Sequence, residues 1–285
     1  MNILITGANG QLGNEMRVLS VSHPSHTYFF TDVQELDITD MRAIEHFVAE
    51  NSISAIVNCA AYTNVDKAED DEQTAYLINA EAAKNLAQVA EKYNCCLIHV
   101  STDYVFNGEH FLPYKESEPT DPTGAYGRTK LAGEQLIEQY CPSAIIIRTA
   151  WLYSSFGNNF VKTMLRLGRE REQLGVVYDQ IGSPTYAADL ANAIFTILES
   201  ETKPAGIYHF TNEGVCSWYD FTIEIHHQAG IKTCRVSPLL SSEYPSKVKR
   251  PHYSVLDKQK IKQTFSISIP HWTEALQRCL ILLEK

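Results

Sequence analysis

Short apolar runs rich in β-branched residues alternate with longer segments whose apolar positions recur at helical spacing. The runs predict strands at 2–6, 28–31, 54–59, 96–100 and 144–148. The longer segments predict helices at 12–19, 41–50, 74–93 and 126–140. Strand and helix in alternation predict βαβ units and a parallel sheet. Because the strands are apolar nearly throughout, we expect helices on both faces.

After about residue 150 this rhythm loosens. Helical patterns recur near 160–169, 187–198, 218–228 and 272–283, separated by segments rich in Pro, Gly and Ser. We therefore expect a doubly wound α/β domain at 1–150 and a smaller substrate-binding domain over most of 151–285. Segments from about 174–202 are expected to return to the first domain.

A glycine-rich loop joins the first predicted strand to the first helix. Gly7, Gly10 and Gly13 follow a GxxGxxG spacing, in which the glycines permit a sharp turn, close approach of a pyrophosphate, and tight helix packing. A helix N-terminus then offers free N–H groups to phosphates. Asp32 ends the second strand, where a carboxylate can accept hydrogen bonds from an adenosine ribose. The pattern predicts a Rossmann-like domain that binds NADH or NADPH, although Asp32 could equally be a turn or cap residue.

Charge and cysteine content narrow the class of protein. A net charge of −10 and a pI near 5.5 argue against nucleic-acid binding. The odd number of cysteines, seven, with no CxxC pair, indicates a reducing cytosol and no zinc site. No signal peptide or membrane-spanning stretch is visible, so a cytoplasmic protein without membrane partners is expected. A basic stretch at Lys247, Lys249 and Arg250 could face an anionic ligand or simply solvent.

A second set of polar residues indicates chemistry on a carbonyl group. Tyr126 and Lys130 are at i and i+4, so on a helix they would share one face. The same spacing also occurs by chance in pairs of surface residues. A nearby ammonium is expected to lower the pKa of the phenol, making it a usable general acid. Thr102 follows the fourth strand and can hydrogen-bond the same oxygen. A hydride donor combined with a proton donor predicts carbonyl reduction.

Several segments resemble the extended short-chain dehydrogenase/reductase superfamily and, within it, the dTDP-4-dehydrorhamnose reductase family. They span nearly the whole chain: GANGQLGNE (7–15), NCAAYTNVDKAE (58–69), STDYVFNG (101–108), YGRTKLAGE (126–134), RTAWLY (148–153), GNNFVKTML (157–165), DQIGSPT (179–185) and RPHYSVLDKQKI (250–261). The resemblance implies reduction of the C4 ketone of dTDP-4-dehydro-β-L-rhamnose to dTDP-L-rhamnose, with a nucleotide sugar as the small-molecule partner.

The resemblance also implies roles for individual residues. Tyr126 would be the proton donor, Lys130 would bind the nicotinamide ribose, and Thr102 would polarise the ketone. Thr102, Asp103 and Trp151 would touch the substrate, although Trp151 could instead be a core residue. The cofactor would be lined by Gly7, Gly10, Gln11, Leu12, Gly13, Asp32, Asp37, Ile38, Ala61, Tyr62, Thr63, Tyr126 and Lys130.

Metal binding is the point on which this sequence departs from the family pattern. Some family members hold Mg²⁺ between subunits through acidic side chains, and Glu15 matches one such position. Ala188 occupies another, and Asp189 would point about 100° away on a helix. We therefore expect no metal, and either a monomer or a homodimer.

Two alternatives stay open: a nucleotide-sugar epimerase or epimerase-reductase, and a non-catalytic regulatory subunit that binds NADP.

Overall fold

A six-stranded parallel sheet forms the centre of the molecule. The structure, a computed structural model, describes residues 1–244 and 246–283. Numbered in chain order, the sheet contains β1 (Asn2–Thr6), β2 (Thr27–Thr31), β3 (Ala55–Asn58), β4 (Cys96–Thr102), β5 (Ile145–Thr149) and β10 (Gly206–His209). Their spatial order is β10-β5-β4-β3-β1-β2, and every neighbouring pair is parallel. The chain passes from β1 to β2 and then crosses back to β3, so the sheet has a switch point, where ligands of such folds bind.

Helices connect the strands and extend into the C-terminal half. They are α1 (Gln11–Ser20), α2 (Met41–Glu50), α3 (Val65–Asp70), α4 (Glu72–Tyr76), α5 (Ala82–Tyr93), α6 (Ala125–Tyr140), α7 (Phe160–Glu170), α8 (Ala187–Glu199), α9 (Trp218–Gln228), α10 (Gln259–Phe265) and α11 (Trp272–Leu283). A π-helical segment, Leu77–Glu81, joins α4 to α5, and short 3₁₀ turns lie at Asp103–Val105 and Ser241–Glu243. The remaining strands are short: β6 (Leu152–Tyr153), β7 (Gln173–Val177), β8 (Ile181–Gly182), β9 (Thr185–Tyr186), β11 (Cys216–Ser217) and β12 (Arg235–Leu239).

Each face of the sheet is covered by its own apolar layer. On one face, Ile3 and Ile5 of β1 pack in a cluster with residues of α1 and α8. On the other face, Leu4 packs in a cluster with residues of α2, α5 and α6. Alternation of neighbouring strand residues between two buried layers explains why the strands are apolar throughout. The predicted Rossmann-like fold is confirmed.

A separate apolar cluster supports the C-terminal half. It is built around Tyr153, Phe221 and Leu276 and contains residues of α7, α9 and α11. β7 pairs with β12 beside it. Trp151, Phe160 and Trp218 of this cluster line the same cavity as Thr102, at the carboxyl end of β4.

The predicted elements differ from the structure in a few places. The single helix predicted at 74–93 is divided by the π-helical segment, and α3 and α10 were not predicted. Both unpredicted helices are short, so they present too few apolar positions for a periodic pattern. None of the described helices is long and apolar enough to cross a membrane.

Candidate functional site

The loop after β1 forms a close-packed cradle with one open side. Gly7 has φ +63°, and a Cβ atom there would lie 2.6 Å from the Cα of Ala60. A Cβ on Gly13 would lie 2.5 Å from both the Cα of Ala8 and the carbonyl oxygen of Gly7. At Gly10 a Cβ would meet only the Gly7 carbonyl, at 3.2 Å, and this residue faces the cavity described below. Gly10 precedes α1 without a side-chain cap, so this helix N-terminus can receive a pyrophosphate.

Asp32 lies beside this loop at the end of β2. Its Oδ2 accepts a hydrogen bond from the backbone N–H of Asn9 at 3.0 Å, and its Oδ1 accepts one from Val33 at 2.9 Å. The carboxylate also lines the cavity. Both alternatives for this residue are therefore compatible with its position, because it orders the turn and still faces the space beside the glycine loop.

Thr102, Asp103 and Tyr126 meet at the carboxyl end of β4. The Thr102 hydroxyl donates to Oδ1 of Asp103 at 3.0 Å and accepts from the backbone N–H of Tyr104 at 3.2 Å. Tyr126, at the start of α6, packs edge-on against Tyr104 with ring centroids 5.5 Å apart. Burial raises the pKa of the Asp103 carboxyl to about 7. The cluster therefore offers two hydroxyls and a carboxyl group that can hold a proton near neutral pH.

The pKa of Tyr126 does not follow the expectation from the sequence. Burial raises it well above its ordinary value, and a hydrogen bond with Thr102 offsets this only in part. Lys130 does not lower it in this structure, and the side-chain nitrogen of Lys130 is hydrogen-bonded to other groups. Its Nζ donates to the carbonyl oxygen of Val100 at 2.8 Å and lies 3.1 Å from Nε2 of His99. The high pKa keeps Tyr126 protonated at neutral pH, so its proton is present, but the lowered pKa expected from the sequence is not found in this structure.

Trp151 adopts a conformation that few residues other than glycine adopt. Its φ is +50°, and its carbonyl oxygen accepts a hydrogen bond from Thr185 at 3.1 Å. Its ring stacks on Trp218 at 3.5 Å with an interplanar angle of 11°, and Phe160 packs against Trp218. Strained backbone often marks a functional position. Trp151 is thus both a packing residue and part of the cavity wall.

The π-helical segment supports one of the predicted cofactor residues. Asn79, on this segment, accepts from the backbone N–H of Tyr62 at 2.8 Å and donates to its carbonyl oxygen at 3.1 Å. Its amide also donates to the hydroxyl of Thr129 on α6 at 3.1 Å. Asn79 therefore joins the loop after β3 to the helix that carries Tyr126.

A single cavity of about 1040 Å³ brings nearly all the predicted site residues together. Its lining includes Gly7, Gly10, Gln11, Leu12, Asp32, Asp37, Ile38, Ala61, Thr63, Thr102, Asp103, Tyr126, Lys130 and Trp151. Gly13 lies beneath the loop and Tyr62 beside Asn79, so neither lines it. The glycine cradle at one end and the Thr102–Tyr126 cluster further along fit an extended dinucleotide whose reactive ring reaches the cluster.

Sequence reasoning missed several residues of this site. Asn58 and His99 lie beneath Lys130, and Phe160 and Trp218 contribute to the wall beside Trp151. Phe160 and Trp218 resemble ordinary amphipathic helix positions, and Asn58 and His99 are single polar residues in apolar strands. Arg250, considered only as part of a basic stretch, lines the cavity and pairs with Asp66 at 3.1 Å.

The acidic residues considered for a metal are engaged within the chain. Oε1 of Glu15 accepts from the hydroxyl of Ser154 at 2.6 Å, and burial raises the pKa of this carboxyl. Asp189 accepts two hydrogen bonds from Arg278, at 2.8 and 2.7 Å, and one from Asn212 at 2.7 Å. Over residues 1–244 and 246–283, His, Cys, Asp and Glu form no group of three or more that could hold a metal ion.

The protein has the fold of the extended short-chain dehydrogenases/reductases. The features that define this class are the parallel sheet, the glycine cradle, and the set of Thr102, Tyr126 and Lys130. A family model described as the RmlD substrate binding domain matches residues 1–284, and the chain belongs to this family.

Known proteins agree with this assignment over their full length. The chain is 42% identical to a dTDP-4-dehydrorhamnose reductase from Aggregatibacter actinomycetemcomitans over 284 residues, which are 96% of this chain and 97% of that protein. A dTDP-4-dehydrorhamnose reductase structure from Clostridium acetobutylicum is 43% identical and superposes with a TM-score of 0.95 over 100% of both chains. A Bacillus anthracis dTDP-4-dehydrorhamnose reductase in complex with NADP is 40% identical, with a TM-score of 0.94 over 98% of each chain.

Proposed function

We propose that this protein uses NADPH or NADH to reduce the C4 ketone of dTDP-4-dehydro-β-L-rhamnose to dTDP-L-rhamnose. The observation that carries the proposal is one cavity holding both the glycine cradle and the Thr102, Asp103 and Tyr126 cluster. The names of the full-length relatives support the substrate, and the NADP complex of one of them supports the cofactor.

The chain's own residues account for the proton and for the polarisation of the ketone. A bound nicotinamide dinucleotide supplies the hydride. The Thr102 hydroxyl, whose single proton points at Asp103 in this structure, turns to donate to the ketone oxygen. Tyr126 hydrogen-bonds the same oxygen and delivers a proton to it as negative charge develops. Lys130, one helical turn further along α6, is the group that can return a proton to the phenolate.

We also propose that the work is divided along the chain. Residues 1–150 hold the cofactor, and most of 151–285 forms the substrate side, with α8 packed against α1 of the cofactor side. Trp151, stacked on Trp218, lies on the sugar side of the cavity. A reducing, cytoplasmic setting is supported by seven cysteines that are all free.

The epimerase-reductase alternative requires a further acid or base from the substrate side of the cavity. None of the histidines in the described part of the chain lines the cavity. The full-length reductase relatives favour a simple reductase, and the assay below separates it from an epimerase.

The test is cofactor consumption with an enzymatically generated dTDP-4-keto sugar. We expect one equivalent of NAD(P)H to be oxidised for each keto sugar consumed. An epimerase would convert the sugar without net loss of NAD(P)H, and a regulatory subunit would leave both the sugar and the cofactor unchanged.

A further inference from the structure

A row of buried polar side chains runs beneath the cavity, from β1 through β3 and β4 to α6. Thr6, Asn58, His99 and Lys130 are each about 1% exposed. The Thr6 hydroxyl donates to Oδ1 of Asn58 at 2.7 Å, Nδ2 of Asn58 lies 2.9 Å from Nδ1 of His99, and Nε2 of His99 lies 3.1 Å from Nζ of Lys130. The mechanism proposed above uses only the last of these four.

The donors at one end of this row determine where the protons lie along it. Oδ1 of Asn58 also accepts from the backbone N–H of Ala60 at 3.1 Å, and a backbone N–H can only donate. The amide of Asn58 therefore cannot be turned around, and its NH₂ group faces Nδ1 of His99. Nδ1 must then be an acceptor, and a neutral imidazole that accepts at Nδ1 carries its proton on Nε2.

That proton points at Lys130. An ammonium group has three N–H donors and no lone pair, so it cannot accept from Nε2–H, whereas a neutral amine can. The amine would still donate to the carbonyl oxygen of Val100, at 2.8 Å. The geometry points to His99 as a positioning residue: held in its Nε2–H form by Asn58, it stabilises the uncharged form of Lys130.

Burial acts in the same direction. It lowers the pKa of Lys130 to about 8, and Glu134 opposes this, although that carboxylate is itself paired with Arg148 of β5 at 2.6 Å. Burial and the nearby Lys130 also lower the pKa of His99 well below its ordinary value, so the imidazole stays neutral. If His99 further favours the amine form of Lys130, even modestly, the pKa of Lys130 comes close to neutral pH.

Among the described residues, His99 is the only ionisable side chain within hydrogen-bond distance of the Lys130 nitrogen, whose other contact is the Val100 carbonyl oxygen. Tyr126 stays protonated because burial raises its pKa, and Cys59 stays a thiol because burial raises its pKa to about 12. Asp103, with a pKa raised to about 7, hydrogen-bonds Thr102.

The consequence for turnover rests on the proposed reductase function. Tyr126 gives its O–H proton to the ketone oxygen, which leaves a phenolate. The Lys130 ammonium restores that proton and becomes an amine, which accepts the hydrogen bond from Nε2–H of His99. Solvent then returns a proton to the amine. His99 thus favours the product of the proton-return step without itself changing charge.

The tautomer of His99 can be measured directly in the unmodified, cofactor-free protein. In a long-range ¹H–¹⁵N spectrum of ¹⁵N-histidine-labelled protein, with His99 assigned through its own backbone amide, we expect the Nε2–H pattern from pH 6 to 9. An Nδ1–H pattern or a protonated ring would overturn the proposal. This measurement needs no variant and no substrate.

His99→Gln tests the effect on Lys130. A carboxamide can turn either its oxygen or its NH₂ group towards Lys130, so the fixed preference for the amine is lost. We expect the titration midpoint of Lys130, followed by NMR of ¹³Cε-labelled lysine and assigned with Lys130→Met, to rise by about 1 pH unit. An unchanged midpoint would overturn the proposal.

The matched control is His209→Gln. His209 is a second fully buried histidine of the same sheet, with a pKa lowered to about 3, and it contacts the carbonyl oxygen of Tyr114 at 3.1 Å rather than Lys130. We expect this variant to lose stability while the Lys130 midpoint stays in place. Movement of the midpoint in the control as well would mean a general loss of packing and would overturn the specific role of His99.

Kinetics separate this inference from the proposed function. If the protein is a reductase, the basic limb of its kcat profile should move to higher pH in His99→Gln, alongside the NMR midpoint. If the NMR results are as expected but no variant and no wild-type protein oxidises NAD(P)H, the proposed function fails while the tautomer assignment stands.

Discussion

At the scale of single residues, the proposed chemistry depends most on the hydroxyl of Tyr126. Tyr126→Phe keeps the ring that packs on Tyr104 and removes the proton donor. We expect kcat to fall by about 10²–10⁴-fold, while the affinity for NADPH, measured by fluorescence titration, stays the same. The control is Tyr208→Phe, which removes a buried hydroxyl bonded to the carbonyl oxygen of Pro204 outside the site. Equal turnover of Tyr126→Phe and wild type would contradict the assignment.

Asp103 should make the stability of the protein depend on pH. Burial raises its pKa from an ordinary value of 3.8 to about 7, so the folded state prefers the protonated form. Its contribution to stability is present below pH 4 and is lost as pH rises towards 7, by about 4 kcal/mol at most. Asp103→Asn cannot ionise, so its stability relative to wild type should increase between pH 4 and pH 7 and then level off.

Denaturant unfolding at several pH values measures this difference. Comparing pH values within each variant removes any effect of the substitution that does not depend on pH. The exposed Asp121 offers the control, since Asp121→Asn should show a nearly constant difference from wild type. A constant difference for Asp103→Asn would mean that folding does not raise the pKa of Asp103.

Site residues could be predicted where a sequence motif places them together. They could not be predicted where only the tertiary structure brings them together. Tyr126 and Lys130 share a helix, and Gly7 and Gly10 share a turn, so spacing alone brought each pair together. Asn58 and His99 lie on different strands, and their pairing depends on the register of β3 against β4, in which these two residues are partners. Nothing in the local sequence around either residue indicates that register.

At the scale of elements, the β1–α1 turn contains two glycines, Gly10 and Gly13, that differ in how much space an added methyl group would have. A methyl group on Gly13 would lie 2.5 Å from backbone atoms that cannot move away, whereas on Gly10 it would meet one carbonyl oxygen at 3.2 Å and otherwise face the cavity. We expect Gly13→Ala to lower both the free energy of unfolding and NADPH affinity. Gly10→Ala should weaken NADPH binding with little change in stability. Denaturation and cofactor titration check both, and the opposite order of stabilities would contradict this view of the turn.

The π-helical segment shows why element boundaries were harder to predict than elements. The apolar pattern of 74–93 continues through Leu77–Glu81, so periodicity indicates one helix. The extra residue per turn lets Asn79 reach the backbone of Tyr62, and the carbonyl oxygen of Asn79 closely approaches Gly133 on α6. Both are tertiary contacts, which the local sequence does not indicate. π-Helical segments occur frequently at functional sites.

At the scale of the whole molecule, an ion pair between Asp189 and Arg278 joins α8 to α11, and Glu15 of α1 also has a partner within the chain. Glu15 is held by Ser154, and Asp189 by Arg278 and Asn212. We expect EDTA to leave turnover and the light-scattering mass unchanged, because these carboxylates already have partners. Loss of activity restored by Mg²⁺, or a change in mass on chelation, would show that a copy of the chain or an ion competes for these groups.

The fold as a whole followed from the sequence because several independent signals agree on it. Buried strands, intervening amphipathic helices and a glycine turn after the first strand each favour a doubly wound sheet. The C-terminal half was less predictable, since its strands are as short as two residues and pair with distant segments, as β8 does with β11. Such pairs carry no periodic pattern.

The central claim is that hydride passes directly to C4 of a dTDP-linked sugar in the cavity that holds Thr102 and Tyr126. The most direct measurement is turnover with NADPH deuterated at C4 of the nicotinamide, followed by NMR and mass analysis of the sugar product. We predict one deuterium per dTDP-rhamnose, located at C4 of the sugar. A product without deuterium, or with deuterium at another carbon, would contradict the account.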